Sequence, residues 1–174
     1  MKKKFILLFF IFFPQYLLAD EGIVYLDVQY IIDNSFLGIH YKKKIKLIED
    51  ENKSIILNKK KLIKSKEQEI NNQKNILKKE EIDDKVLKIN NLLKEYQIDV
   101  NKLNNKLTAK KNEYTNNILK IMNPLLTKYV EKNNILLVLE KKNILVGIKT
   151  LDITNDILKI LNQETKTKKL INEN

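Results

Sequence analysis

A chain of 174 residues with 33 lysines and no arginine, 22 acids, three glycines and two prolines has room for one domain, or for one small body with a long appendage. The absence of cysteine excludes disulfides, thiolate metal sites, a cysteine nucleophile and a lipid-modified N-terminal cysteine, and a single histidine, His40, excludes a histidine metal cluster within one chain. The formal charge of +11 is all lysine; without the bidentate fork of arginine it is weak evidence for nucleic-acid recognition.

At the N-terminus Lys2, Lys3 and Lys4 precede an unbroken apolar run from Phe5 to Phe13. Nine residues are too few to span a bilayer, which takes about 20, and the pattern is that of a secretory signal, expected to be cleaved after Ala19 to leave residues 20–174 exported. Ile23-Val24-Tyr25-Leu26, bounded by Gly22 and Asp27, has the β-branched and aromatic make-up of a short buried strand. A short helical turn over Val28 to Asp33 is expected next, and Ser35 is a plausible N-cap for the long helix after it.

From Ile39 to Asn133 the pattern is helical, with only Pro124 as an interruption. One rod of that length would exceed about 140 Å, and a hairpin folded between Lys79 and Lys85, in the charged stretch Glu80-Glu81-Ile82-Asp83-Asp84, brings the chain back to its start. On the returning side Ile89, Leu93, Tyr96, Val100, Leu103 and Leu107 form a heptad seam, resumed by Tyr114, Ile118, Ile121 and Leu125. The outgoing side carries about one apolar residue per heptad, near Ile48, Ile55, Leu62, Ile63, Ile70 and Leu77, too few for a self-sufficient coiled coil. Residues 42–80 hold 13 lysines against 6 acids, so the basic excess lies on the outgoing arm.

Beyond the arm, Ile135 to Leu139 is a continuous apolar run and is expected to be a strand buried on both faces. Lys141-Lys142-Asn143 is a short turn, and Ile144 to Ile148 is expected to return as a further strand. Asp152 or Thr154 can cap a last helix with the apolar stripe Ile153, Ile157, Leu158 and Leu161, after which Thr165 to Asn174 is expected to be a frayed tail.

These elements predict an α+β fold. The body, residues 20–38 and 134–163, is expected to be a small β-containing oligomerisation body; the protruding arm, residues 39–133, a long antiparallel helical hairpin; and residues 164–174 a flexible tail. A body of about 55 residues is marginal as an isolated core, so several chains should share one, with Val24, Leu26, Leu137, Leu139 and Leu145 as its oligomer core. The ordered set of Ile23-Val24-Tyr25-Leu26-Asp27-Val28-Gln29, Ser35-Phe36-Leu37-Gly38, the closing Leu137-Val138-Leu139 strand with its return, and Asp152-Ile153-Thr154-Asn155-Asp156-Ile157 resembles the Skp (OmpH-like) periplasmic chaperone family. The resemblance implies a homotrimer whose helical tentacles surround a cavity that shelters unfolded outer-membrane proteins without nucleotide. The lack of arginine on the arms and of a marked turn at their tips departs from that family.

No catalytic constellation is present. Gly22, Gly38 and Gly147 are isolated, so there is no phosphate loop. Glu80-Glu81 and Asp83-Asp84 have no apolar flank to split their pKa values and are expected at a solvated hairpin tip. His40 is expected to be a bland junction residue, and Asp27 and Asp152 strand-end and capping residues. No enzyme activity, metal or cofactor is expected. The expected client-binding residues are Ile56, Leu57, Ile63 and Ile76, as thinly spaced apolar contacts, and Lys59, Lys60, Lys61, Lys64 and Lys66, as long-range attraction for acidic clients. The partners are unfolded outer-membrane proteins and further copies of the chain, with weak contact to an anionic membrane surface and no specific nucleic acid, since aromatics spaced for base stacking are missing. The alternative is a structural coiled-coil spacer of the cell envelope that binds no client.

Overall fold

The computed structural model of the protein describes residues 22–171. The expected signal segment, residues 1–19, lies outside the described residues. In chain order the elements are strand β1 (Gly22–Leu26), helix α1 (Val28–Asn34), helix α2 (Phe36–Gln73), helix α3 (Lys79–Lys132), strand β2 (Ile135–Glu140), two single turns of 3₁₀ helix (Lys141–Asn143 and Lys149–Leu151), and helix α4 (Thr154–Thr167). The fold is α+β, with long helices and a small two-stranded sheet.

β1 and β2 pair in parallel, with Val24 opposite Val138, Tyr25 opposite Leu139 and an irregularity between Gly22 and Ile23. Parallel neighbours need a crossover connection, and here the whole helical hairpin is that crossover. Tyr25 also bridges to Asp152, and its carbonyl accepts from the Ile153 amide at 2.9 Å. β1 is therefore flanked on both sides, while the far edge of β2 is unpaired among the described residues. Val24, Leu26, Ile31, Leu37, Ile118, Met122, Ile153, Ile157 and Leu161 form one core. Fully burying an aliphatic chain of this kind contributes about 1.5–3 kcal/mol, and α1, α4 and the last third of α3 supply most of it.

Local chemistry explains the entry to the arm. Asp27 closes β1 and caps α1, its Oδ1 accepting from the Tyr30 amide at 2.8 Å, while its own amide donates to Thr154 Oγ1 at 2.8 Å. Ser35 serves two helices. Its amide donates to the Ile31 carbonyl at the end of α1, and its Oγ accepts from the Gly38 amide at the start of α2. Phe36 is tied to α4 through its amide, which donates to Asn162 Oδ1 at 2.8 Å.

Four expectations are corrected. The reversal lies at Lys74–Lys78, not between Lys79 and Lys85: the amides of Ile76 and Leu77 both donate to the Gln73 carbonyl. The acidic stretch instead opens α3, where carboxylates complement the positive end of the helix dipole, and Glu81 Oε2 accepts from the Lys78 amide. No residue of this turn has positive φ, so glycine was not needed to mark it. The segment Ile144–Ile148 is not a strand. Lys141–Asn143 turns as 3₁₀, and the segment crosses over the Tyr25 ring so that Asp152 reaches β1. β2 is a strand but is not buried on both faces: Leu136 and Leu137 are exposed, while Ile135 and Val138 pack against the core. Finally, α4 continues to Thr167, with Thr165 buried and its Oγ1 bonded to the Leu161 carbonyl, so residues 164–167 belong to the helix and not to a tail.

Candidate functional site

At about 1.5 Å per residue α2 is about 57 Å long and α3 about 81 Å, and the two pack side by side from the body to the turn at Lys74–Lys78. Beyond residue 50 on the outgoing side, the covered positions are Asn52, Ile56, Lys59, Ile63, Glu69, Ile70 and Gln73 on α2, and Leu77 in the turn. Apart from Glu69 they follow the 4-3 spacing of a heptad seam, with Lys66 the one exposed position in the series. Half of that seam is polar. Ile56, Ile63, Ile70 and Leu77 recur every seven residues, and so do Asn52, Lys59, Lys66 and Gln73. On α3 the covered residues include Ile82, Lys85, Ile89, Leu92, Tyr96, Asp99, Leu103 and Leu107. Leu92 rather than Leu93 faces the partner helix, which corrects the expected seam by one residue.

Three ion pairs cross from one helix to the other: Glu49 with Lys111 at 2.8 Å, Lys59 with Asp99, and Glu69 with Lys85 at 2.7 Å. At the base of the arm, the Tyr41 and Tyr114 rings stack in parallel with centroids 4.2 Å apart. An open groove of about 980 Å³ lies beside this stack, lined by Ile32, Ile39, Ile45 and Ile118 with Lys42 and Lys43 among its rim residues. The His40 ring lies 5.9 Å from that of Tyr41, and burial, reinforced by Lys44 and Lys43, holds its imidazole below the usual range.

The residues expected to contact a client are divided by this geometry. Leu57 and Ile76 are exposed, Ile76 at 84%. Ile56 is half-buried and Ile63 buried in the seam, which corrects the expectation of a solvent-facing Ile63, since it points at α3 in the closed arm. Lys60, Lys61 and Lys64 are exposed, whereas Lys59 is paired with Asp99 and Lys66 with Glu69. Sequence reasoning missed Leu47, at 70% exposure, and the exposed aliphatics Val86, Leu87, Leu93 and Ile98 of α3. The seven-residue recurrence of Ile56, Ile63, Ile70 and Leu77 is visible in the sequence, but Ile48, Ile55 and Leu62 recur with the same period in a neighbouring register, so spacing alone does not separate covered from free positions.

The body presents a second apolar surface. Of the expected oligomer core, Val24 and Leu26 belong to the protomer's own core. Leu137 and Leu139 are exposed on β2, and Leu145 is wholly exposed together with Val146 and Ile148. This segment is nevertheless held at one end. Tyr25 Oη donates to the Ile148 carbonyl at 3.2 Å, and a Cβ on Gly147 would press against the Tyr25 ring.

The family model described as Outer membrane protein (OmpH-like) matches residues 22–161. The chain belongs to the OmpH-like family. No curated protein matches it in sequence. Among solved structures it is similar to a protein of Caulobacter crescentus described as an outer membrane chaperone (OmpH-like), with a TM-score of 0.74 at 10% identity, over 82% of this chain and 85% of that one. At that identity the likeness is one of fold. The OmpH-like match begins at β1 and ends inside α4, so it takes in the sheet, the arm and the core that joins them.

Electrostatics in this OmpH-like chain are structural in kind. Burial would raise the Asp152 carboxyl, but hydrogen bonds from Thr154 and Lys141 outweigh it and leave the group below the usual carboxylate range. Glu69 is brought down to about 2 by hydrogen bonds first from Lys85 and then from Lys66. Among the described residues no cluster of His, Asp and Glu gathers as a metal site, and no helix is long and apolar enough to cross a membrane.

Proposed function

We propose that this OmpH-like chain is an ATP-independent holding chaperone of the periplasm, which binds unfolded outer-membrane proteins between the arms of a homotrimer and prevents their aggregation. The observation that carries this reading is a long two-helix arm with singly spaced exposed aliphatics, standing on a body whose own apolar surface is gathered at an unpaired sheet edge. Membership in the OmpH-like family supports it, as does the fold shared with the Caulobacter crescentus protein described as an outer membrane chaperone.

Aliphatic residues exposed one at a time offer weak, replaceable contacts, whereas a contiguous patch of more than a few hundred Å² would promote self-association. Leu47, Leu57 and Leu62 on α2, Ile76 in the turn, and Leu87 and Ile98 on α3 have this character. Lys60, Lys61 and Lys64 add attraction for acidic segments and for anionic membrane surfaces. Each contact is small, and three arms acting on one client supply the holding strength through avidity. In this reading the protein catalyses no reaction and needs no nucleotide, metal or cofactor. Its N-terminal signal directs it to the periplasm and is removed there.

The test is dilution of a urea-unfolded outer-membrane β-barrel protein into buffer containing residues 20–174, with turbidity followed in the absence of nucleotide. Suppression near one trimer per client is expected, weakened by Leu57→Ser with Ile76→Ser. A folded, oligomeric protein that suppresses nothing at any ratio would instead be the envelope spacer.

A further inference from the structure

We propose that the seam between α2 and α3 is itself a client surface, which opens from the turn at Lys74–Lys78 towards the Tyr41–Tyr114 stack and offers its apolar column to apolar stretches of an unfolded chain. The proposal rests on the holding function and names where the stronger contacts are made.

The seam is built to close weakly. A stable two-helix seam carries apolar residues at both core positions of each heptad, yet on α2 one of the two is polar in four successive heptads. The polar residues are poorly compensated in the closed state. Gln73 Oε1 is buried with no partner, Asn52 Nδ2 reaches the Leu103 carbonyl only at 3.5 Å, and Lys59 depends on Asp99. A covered polar group that lacks a full partner opposes closure by its desolvation, and it regains water when the helices part. Exposed ion pairs add little to hold them together.

The outer faces of the closed arm present aliphatics singly. Inside the seam, Ile56, Ile63 and Ile70 on α2 and Leu77 in the turn form one column, and Ile82, Ile89, Leu92, Tyr96, Leu103 and Leu107 form a denser one on α3. Opening adds both columns to the apolar surface that the arm presents. Closed, they are hidden, which keeps a client-free arm soluble. Opening is limited at the base, because Ile118 and Met122 of α3 and Leu37 of α2 are fixed in the body's core.

Because the chain has no cysteine, Lys59→Cys with Asp99→Cys gives a single disulfide across the seam. In the exported protein, oxidised and reduced forms are compared in the turbidity assay, alongside amide exchange of the arm. The expected result is that the oxidised form loses most of its holding capacity, that reduction restores it, and that arm amides of the reduced form exchange at least about tenfold faster than those of the core. Equal holding by both forms overturns the proposal, while absence of holding in both overturns the chaperone reading instead. Asn52→Leu with Lys59→Leu and Gln73→Leu gives a second route without a crosslink: slower arm exchange with reduced holding supports the proposal, and slower exchange with undiminished holding overturns it.

Discussion

Ser35 joins two helices with no loop between them, and it does so with both its backbone and its side chain: it is wholly buried, closes α1 through its amide and caps α2 through Oγ. Replacing such a cap by alanine typically costs about 1 kcal/mol, and Ser35→Ala should lower the thermal midpoint accordingly in a circular-dichroism melt. Gly38, one turn later, is under a harder constraint. A Cβ there would overlap the carbonyl oxygen of Ile32, a backbone atom that cannot rotate away, so Gly38→Ala should destabilise more than Ser35→Ala in the same measurement. Glu69 gives a residue-level pH dependence. Its carboxyl lies at about 2 instead of 4.5 because Lys85 and Lys66 donate to it, so its contribution is fully present above the unfolded value and is lost as pH falls from about 4.5 towards about 2. Amide protection of α2 near Glu69, taken relative to the intrinsic exchange rate at each pH, should therefore fall across that window, and Glu69→Gln should remove this component.

At the scale of elements, the existence and type of the helices follow from periodicity, and their ends follow from capping chemistry. The start of α2 was legible because serine at an N-cap carries its own hydrogen bond. The turn between α2 and α3 was not: five residues with ordinary negative φ reverse the chain, and no glycine, proline or asparagine motif is required. The acidic residues next to it suggested a solvated loop, when their role is to favour the first turns of α3. The strand expected over Ile144–Ile148 failed for a different reason. Its β-branched and aliphatic composition suits a strand, but the chain leaves β2 through a 3₁₀ turn at Lys141–Asn143 and is drawn to Tyr25, whose Oη holds the Ile148 carbonyl, so it does not run back along the free edge of β2. Pro124 lies inside α3. It removes one amide donor and leaves the Lys120 carbonyl without its intrahelical partner, yet the helix continues because Ile118, Met122 and the residues packed on them hold both sides of the proline in the core.

For the whole molecule, the apolar surface left over by one protomer is the feature with the largest consequence. Leu136 on β2, and Leu145 and Val146 beyond it, are strongly exposed, and an open, aliphatic strand edge is a site for pairing with another chain. We propose that two further copies cover it. Light scattering on the exported protein should give the mass of a trimer, and Leu145→Asp with Val146→Asp should shift it towards monomer while the helical spectrum of the arm persists. A monomeric parent at micromolar concentration would remove the basis for the shared body.

By itself, the sequence determined that two long helices separate a short strand from a second apolar strand and an amphipathic helix, since each of those signals is local: periodicity, the Ser35 cap and β-branched runs. It also carried the ordered motifs of the OmpH-like family, to which the chain belongs. Only the tertiary structure decided which side chains of the arm are free and which face the other helix, because a seam with one apolar residue per heptad leaves two registers of similar hydrophobic content. The choice between Leu92 and Leu93, or the burial of Ile63, depends on the partner helix. The structure also decided that β1 is flanked on both sides within one protomer, and hence that Leu145 and its neighbours are left for surfaces outside it.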